Sequence, residues 1–165
     1  KGLDKGNLLS GPLVYDDFEN ISTHFDLSKW GSHMWGSWDL DPRGIDPKNK
    51  PFEIEAMGMG LFSCRKDSWL GFNPKFRGFG GEEGYIHKKY EMNGKKTLCL
   101  PFMRWLHRLE RPDGLPYVND LKDRFRNYMI GFQETKQDTN IVVKQFKDVI
   151  PVDYIKKVKK ELNLD

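Results

Sequence analysis

Two adjacent carboxylates, Glu82 and Glu83, follow a double glycine in the stretch Gly71-Phe-Asn-Pro-Lys-Phe-Arg-Gly-Phe-Gly-Gly-Glu-Glu-Gly84. Carboxylates just past a glycine-loosened turn open a helix, where the dipole favours the ionised form and keeps a proton acceptor ready. Neighbours on a helix point about 100° apart, so one can serve as a general base while the other binds a hydroxyl or a backbone N–H. A plain acidic first turn is the structural alternative. A histidine, His107, follows in Trp105-Leu-His-Arg108. An imidazole there is either a hydrogen-bonded structural group or one ligand of a metal whose other ligands come from elsewhere. Asp39 and Asp41, spaced Asp-x-Asp, and the pair Asp16 and Asp17 are the acidic candidates to join it, although Asp41-Pro42 also reads as turn chemistry. His87, one helical turn after Glu83, shares its face and is placed to orient it or to lie at the surface.

These groups need elements to hold them. Glu82 to Met92 reads as a helix closed by Asn93-Gly94, and Thr97 to Phe102 as a buried strand stopped by Pro101. The spacing of Leu121, Phe125, Tyr128 and Phe132 predicts an amphipathic helix over Val118 to Phe132. Ile141 to Phe146 reads as a short strand, and Asp153 to Leu162 as a terminal helix with Ile155, Val158 and Leu162 inward and its lysines solvated. Upstream, Phe52 to Phe62 alternates, with a phase shift at Ala56-Met57 that marks a bulge or a break between two short strands. Gly58 and Gly60 leave room there for a backbone or a ligand to approach. Ser63 to Leu70 reads as a short helix or turn. Residues 30–51 are dense in Gly, Pro, Asp and Asn and read as a long loop. Its Trp30, Trp35 and Trp38 either plug it down or stack on a flat ligand such as a sugar.

The chain has 165 residues, 38% of them hydrophobic and 31% charged, with a formal net charge of +3 drawn from mixed signs. That length suits one domain covering 1–165, and the small charge does not argue for nucleic acid. Two cysteines, Cys64 and Cys99, are too few for a disulfide framework, so two free thiols in a reducing compartment are expected. The start is polar, no apolar run has the length of a membrane span, and a soluble cytoplasmic protein of α/β class is the resulting expectation.

The run Phe76-Arg-Gly-Phe-Gly-Gly-Glu-Glu83, with Trp105-Leu-His-Arg108 downstream, resembles the acceptor-side half of GT-A nucleotide-sugar glycosyltransferases. It is similar to the Trp-Gly-Gly-Glu-Asp/Asn segment of β-1,4-galactosyltransferases and polypeptide N-acetylgalactosaminyltransferases, where a metal-ligating histidine follows. From about Gly11 to Tyr128 the chain also resembles family-two-type bacterial and viral glycosyltransferases. The resemblance implies that Glu83 is the catalytic base and that Glu82 contacts the acceptor. It implies that His107 holds a divalent cation, usually manganese, beneath the donor diphosphate. Phe79 stands where the family has Trp, and Gly80 and Gly81 complete the motif. Arg77, just before it, meets phosphate or packs, and Trp35 and Trp105 complete the expected substrate-binding set.

The implied fold is the C-terminal part of GT-A. Residues 1–132 form the acceptor and catalytic part, and 133–165 a strand-and-helix extension. The nucleotide-binding half that precedes this part in the family, with its Asp-x-Asp, is expected to be missing or supplied by another chain. The implied activity is metal-dependent transfer of a sugar from a nucleotide-sugar to an acceptor hydroxyl, by an inverting displacement, although one of the two similar families retains configuration. A non-catalytic carbohydrate-binding module built on the three tryptophans is the alternative from another class. A glycoside hydrolase fits poorly, because its two carboxyls must face each other across a sugar at about 5 to 9.5 Å.

Overall fold

The computed structural model describes residues 5–164; Lys1 to Asp4 of the polar start, and Asp165, lie outside them. Among the described residues, eight short strands and four α-helices make a mixed α/β architecture. The strands are β1 (Leu8–Ser10), β2 (Leu13–Val14), β3 (Ile21–Ser22), β4 (His24–Gly31), β5 (Met34–Asp39), β6 (Phe52–Ile54), β7 (Thr97–Cys99) and β8 (Trp105–Leu106). The helices are α1 (Glu82–Met92), α2 (Leu121–Glu134), α3 (Thr139–Phe146) and α4 (Val152–Glu161). No helix among the described residues is long and apolar enough to cross a membrane. Cys64 and Cys99 are both free thiols.

The strands form three small sheets, ordered β1-β7-β6, β3-β2-β8 and β4-β5. β1 runs parallel to β7, and β2 parallel to β8, so one pair of chain segments is shared between the first two sheets. The crossover falls at Gly11-Pro12. There the backbone passes so close to Met103 that a Cβ on Gly11 would lie 1.8 Å from the Met103 carbonyl oxygen. Trp105 N–H donates to the Pro12 carbonyl at 3.1 Å and His107 N–H to Val14 at 3.0 Å, which carries the pairing up to the histidine.

The expected loop over residues 30–51 is corrected by this architecture: its first part is a hairpin of β4 and β5. Ser32 and His33 form its two-residue turn, both at positive φ (49° and 62°). That is the turn pattern usually marked by Asn-Gly or Gly-Gly, and without such residues the hairpin left no local signal. The three tryptophans are thereby strand residues packed inward. Trp35 is 6% exposed, and its indole N–H donates to the Leu27 carbonyl at 2.8 Å. Its ring packs so tightly on α1 that a Cβ on Gly84 would lie 2.4 Å from it. Trp30 packs edge-on against Tyr128 at 5.1 Å, and Trp38 lies 4.1 Å from Phe25 between ring centroids. Trp35 therefore offers no open face for a sugar, while Trp30 and Trp38 are half-buried against the same core.

A second correction concerns Ile141 to Phe146, which is the helix α3 rather than a strand. Asp138 caps it by accepting from Asn140 N–H at 2.9 Å, and Val142 and Phe146, four residues apart, are its buried face. The extension is thus two helices after the end of α2, not a strand and a helix. Phe146, Ile150, Ile155, Val158 and Leu162 share one apolar cluster with Phe25, Trp35, Phe125 and Tyr128. Helix packing outweighed the β propensity of Ile-Val-Val. One polar contact pins this cluster to the hairpin: Trp35 backbone N–H donates to the buried Tyr128 hydroxyl at 2.8 Å. Replacing Tyr128 with Phe leaves that N–H without its partner, and urea denaturation should record a loss of about 1–3 kcal/mol.

Candidate functional site

α1 begins as the sequence predicts, and the entry to it is built by the double glycine. Gly80 and Gly81 have φ of 99° and 96°, a backbone that residues with a Cβ rarely adopt. Asn127, 1% exposed on α2, holds this turn from behind. Its amide donates to the carbonyls of Arg77 (2.7 Å) and Gly80 (2.8 Å) and accepts from Arg77 N–H at 2.9 Å. The helix closes at Gly94 (φ 67°), with Lys95 N–H returning to the Tyr90 carbonyl at 3.0 Å.

The first turn of α1 faces a cleft of about 680 Å³. Phe79, Glu82, Glu83 and His107 line it together with Met59, Leu109, Arg111, Leu115 and Tyr117. Thus the aromatic, the acidic pair and the histidine singled out in sequence meet on one cavity wall, although they come from separate segments. Phe79 stacks on Tyr117 with ring centroids 4.7 Å apart. The Arg124 and Arg111 guanidinium groups lie on opposite ends of this pair, each 5.8 Å from a ring centroid.

Glu83 is fixed at both its ends. Its carboxylate accepts from Met59 N–H at 3.3 Å. Its backbone carbonyl accepts from His87 Nδ1 at 2.6 Å, while His87 Nε2 accepts from Met57 N–H at 3.3 Å. His87 is 2% exposed, so it is neither a surface residue nor a partner of the Glu83 carboxylate; it ties the chain before Gly58 to the start of α1. Gly58 and Gly60 do allow close approach, but to indole rings. A Cβ would meet Trp38 at 2.6 Å in the first and Trp105 at 2.4 Å in the second.

The helix dipole does not decide the protonation of these acids. Burial, with the neighbouring charge of Glu82 second, pushes Glu83 up to about 7 from an ordinary 4.5. Burial also raises Glu82, against hydrogen bonds from the backbone of Glu82 and Gly80. A first-turn dipole contributes less than desolvation of a carboxylate in a walled cleft. A group near 7 is still well matched to general-base work at neutral pH.

His107 projects from the end of β8. Asp16 fixes the chain beyond it by accepting from Leu109 and Glu110 N–H at 2.9 and 3.0 Å. Burial and then the Arg111 charge lower the imidazole pKa, and Nδ1 is buried without a hydrogen-bond partner. A neutral ring with an unused nitrogen suits a metal ligand. Trp105 stacks obliquely on His107 at 5.4 Å and donates its indole N–H to the Gly11 carbonyl at 3.1 Å. With Leu106, Arg108 and Glu110 it lines a second hollow of about 490 Å³, which shares Gly60, His107 and Arg111 with the first.

Other expected residues fall elsewhere. Asp41 pairs with Arg43 at 2.6 Å and caps the short 3-10 turn Pro42–Gly44, and Asp39 pairs with Lys29 at 3.4 Å. They line a separate hollow with no residue in common with the Glu83 cleft. Asp17 binds Asn20 and Glu19 in a surface turn. Arg77 is exposed and is absent from the cleft wall. Among the described residues, no three His, Cys, Asp or Glu side chains gather into a metal cage.

The residues missed in sequence are Asn127, Arg124, Met59, Arg111 and Tyr117. Asn127 and Arg124 carried a usable signal, since both lie on the buried side of an amphipathic helix where a polar residue needs a partner. Tyr117 sat in a Pro-rich loop with no periodicity to show where it would turn. No family model matches the chain, and no curated protein matches it either.

Proposed function

We propose that the chain is the acceptor-side catalytic part of a metal-dependent glycosyltransferase with a GT-A-type fold. The observation that carries this reading is the convergence of Glu82, Glu83 and His107 on one cleft beside Phe79 and Tyr117. Glu83, held by Met59 N–H, takes the proton of an acceptor hydroxyl as its oxygen bonds to the sugar C1. The bond from C1 to the nucleoside diphosphate breaks on the opposite face, giving inversion. Glu82 contacts the acceptor, and Phe79 with Tyr117 forms the aromatic side of its seat.

The charge distribution supports the same division. The Glu82 and Glu83 carboxylates stand in the first hollow, Arg108 joins Trp105 and Glu110 in the second, and Arg111 lines both, which puts cationic groups where an anionic donor could be met. The Nδ1 of His107, buried and without a hydrogen-bond partner, is the nitrogen that would serve as one ligand of a divalent cation such as Mn²⁺. Such a cation, when bound, supplies positive charge at the departing diphosphate.

Calorimetric titration with UDP, GDP and CDP, with and without Mn²⁺, tests the donor side. Binding of one nucleotide should depend on Mn²⁺, and His107→Ala should weaken it by about tenfold or more. Nucleotide binding indifferent to both the cation and His107 would count against the reading.

A further inference from the structure

We infer that His87 is a positioning residue for Glu83. Its ring, protonated at Nδ1 and bare at Nε2, clasps the start of α1 to the segment whose Met59 amide holds the Glu83 carboxylate. That Glu83 is the base rests on the glycosyltransferase reading; how it is held does not.

The two partners of the ring fix its hydrogens. Nδ1 lies 2.6 Å from the Glu83 carbonyl oxygen, which can only accept, so Nδ1 carries the hydrogen. Nε2 lies 3.3 Å from the Met57 N–H, which can only donate, so Nε2 is bare. A doubly protonated ring would set two hydrogens against each other at Met57. Burial opposes that state, pushing the His87 pKa down to about 4 in a ring 2% exposed.

The segment that His87 grips is itself fixed. Met57 is fully buried in a cluster with Leu13, Phe52, Ile54 and Cys99. Gly58 is wedged beside it: a Cβ there would lie 2.6 Å from the Trp38 ring and 3.6 Å from Glu83 Oε1. Met59 N–H, next along the chain, donates to Glu83 Oε1 at 3.3 Å. Two hydrogen bonds through His87 and one through Glu83 thus close a ring between this segment and the first turn of α1. Removing the imidazole takes away two of the three and leaves the buried Met57 N–H without an acceptor. The Met59 donor and the Glu83 carboxyl then lose the common frame that aligns them.

NMR of the imidazole nitrogens and a double-mutant cycle test this, and neither needs a substrate. In the wild-type protein, His87 Nδ1 should resonate as a protonated nitrogen and Nε2 as a bare one. Glu83→Ala should move the Met59 amide proton resonance in the wild-type background. In a His87→Phe background, where the space is filled but both bonds are gone, that movement should fall to about a third or less. His87→Gln, whose amide oxygen can accept from Met57 N–H near the place of Nε2, should keep more of it. In sugar transfer, His87→Phe should lower kcat about tenfold or more, with the KM for the nucleotide-sugar within about twofold of wild type. A ring protonated at Nε2 overturns the inference, even where His87→Phe does not fold. So does a Met59 resonance that Glu83→Ala moves equally in both backgrounds or not at all, or an unchanged kcat. A wild-type protein that shows the clasp by NMR but no Mn²⁺-dependent nucleotide binding would overturn the transferase reading alone.

Discussion

Glu83→Gln is expected to lower sugar transfer by about 10²–10⁴-fold while raising the stability of the chain above neutral pH. The two effects have one origin. The substitution keeps the side-chain oxygen that accepts from Met59 N–H, 3.3 Å away, but removes the ability to take a proton. It also removes a charge that the fold holds at a cost. Folded Glu83 keeps its proton up to about 7, whereas an unfolded glutamate releases it near 4.5. Between those values the folded state binds more protons, so stability falls as pH rises, and above about 7 the whole penalty is present. The span corresponds to at most about 3 kcal/mol. Thermal melting above neutral pH should therefore show Glu83→Gln a few degrees above wild type, with the difference vanishing below the ordinary glutamate range. Nucleotide binding should be unchanged, since on the proposed reading Glu83 would touch the acceptor and not the donor. A variant that transferred at the wild-type rate would remove Glu83 from the mechanism, and one that melted lower at high pH would remove the burial argument.

Gly11→Ala is expected to destabilise the fold by about 3 kcal/mol or more, a large effect for one added methyl group. The added Cβ would stand 1.8 Å from the Met103 oxygen and 2.6 Å from its carbonyl carbon. Both are backbone atoms, so no side chain can swing aside. The crossover at Gly11-Pro12 also sets where β8 pairs and where the Trp105 indole anchors, through Pro12 and the Gly11 carbonyl. Displacing it would move His107 relative to Glu83. Loss of stability in urea should thus be accompanied by loss of Mn²⁺-dependent nucleotide binding in the folded fraction. Gly31→Ala is the control: nothing lies within 4 Å of its Cβ position, and its stability should stay within about 0.5 kcal/mol of wild type.

The parts of this molecule that sequence made legible are those where local chemistry and burial agree. α1 begins after Gly80-Gly81 and ends before Gly94 because positive-φ turns there need glycine. α2 and α4 carry clear apolar stripes. The hairpin of β4 and β5 was hidden because its turn uses Ser32 and His33, and because tryptophans among glycines read as loop when their partner strand is unseen. α3 was hidden by the β-branched run Ile141-Val-Val, while the decisive signal, the Asp138 cap, lay three residues upstream. Of the candidate site, Glu82, Glu83 and His107 were legible from residue type and order, and Phe79 only through the family resemblance. The protonation of Glu83 was not, because it depends on walls supplied by Met59, Leu109 and Tyr117 at distant positions.

The most direct test of Glu83 as general base is the pH dependence of kcat/KM for sugar transfer by the wild-type protein, which reports ionisations of the free enzyme. The rate should rise with pH through a midpoint near 7, where the buried carboxyl loses its proton, and then level off. A profile already flat from about pH 5, or one that falls as Glu83 ionises, would contradict the account.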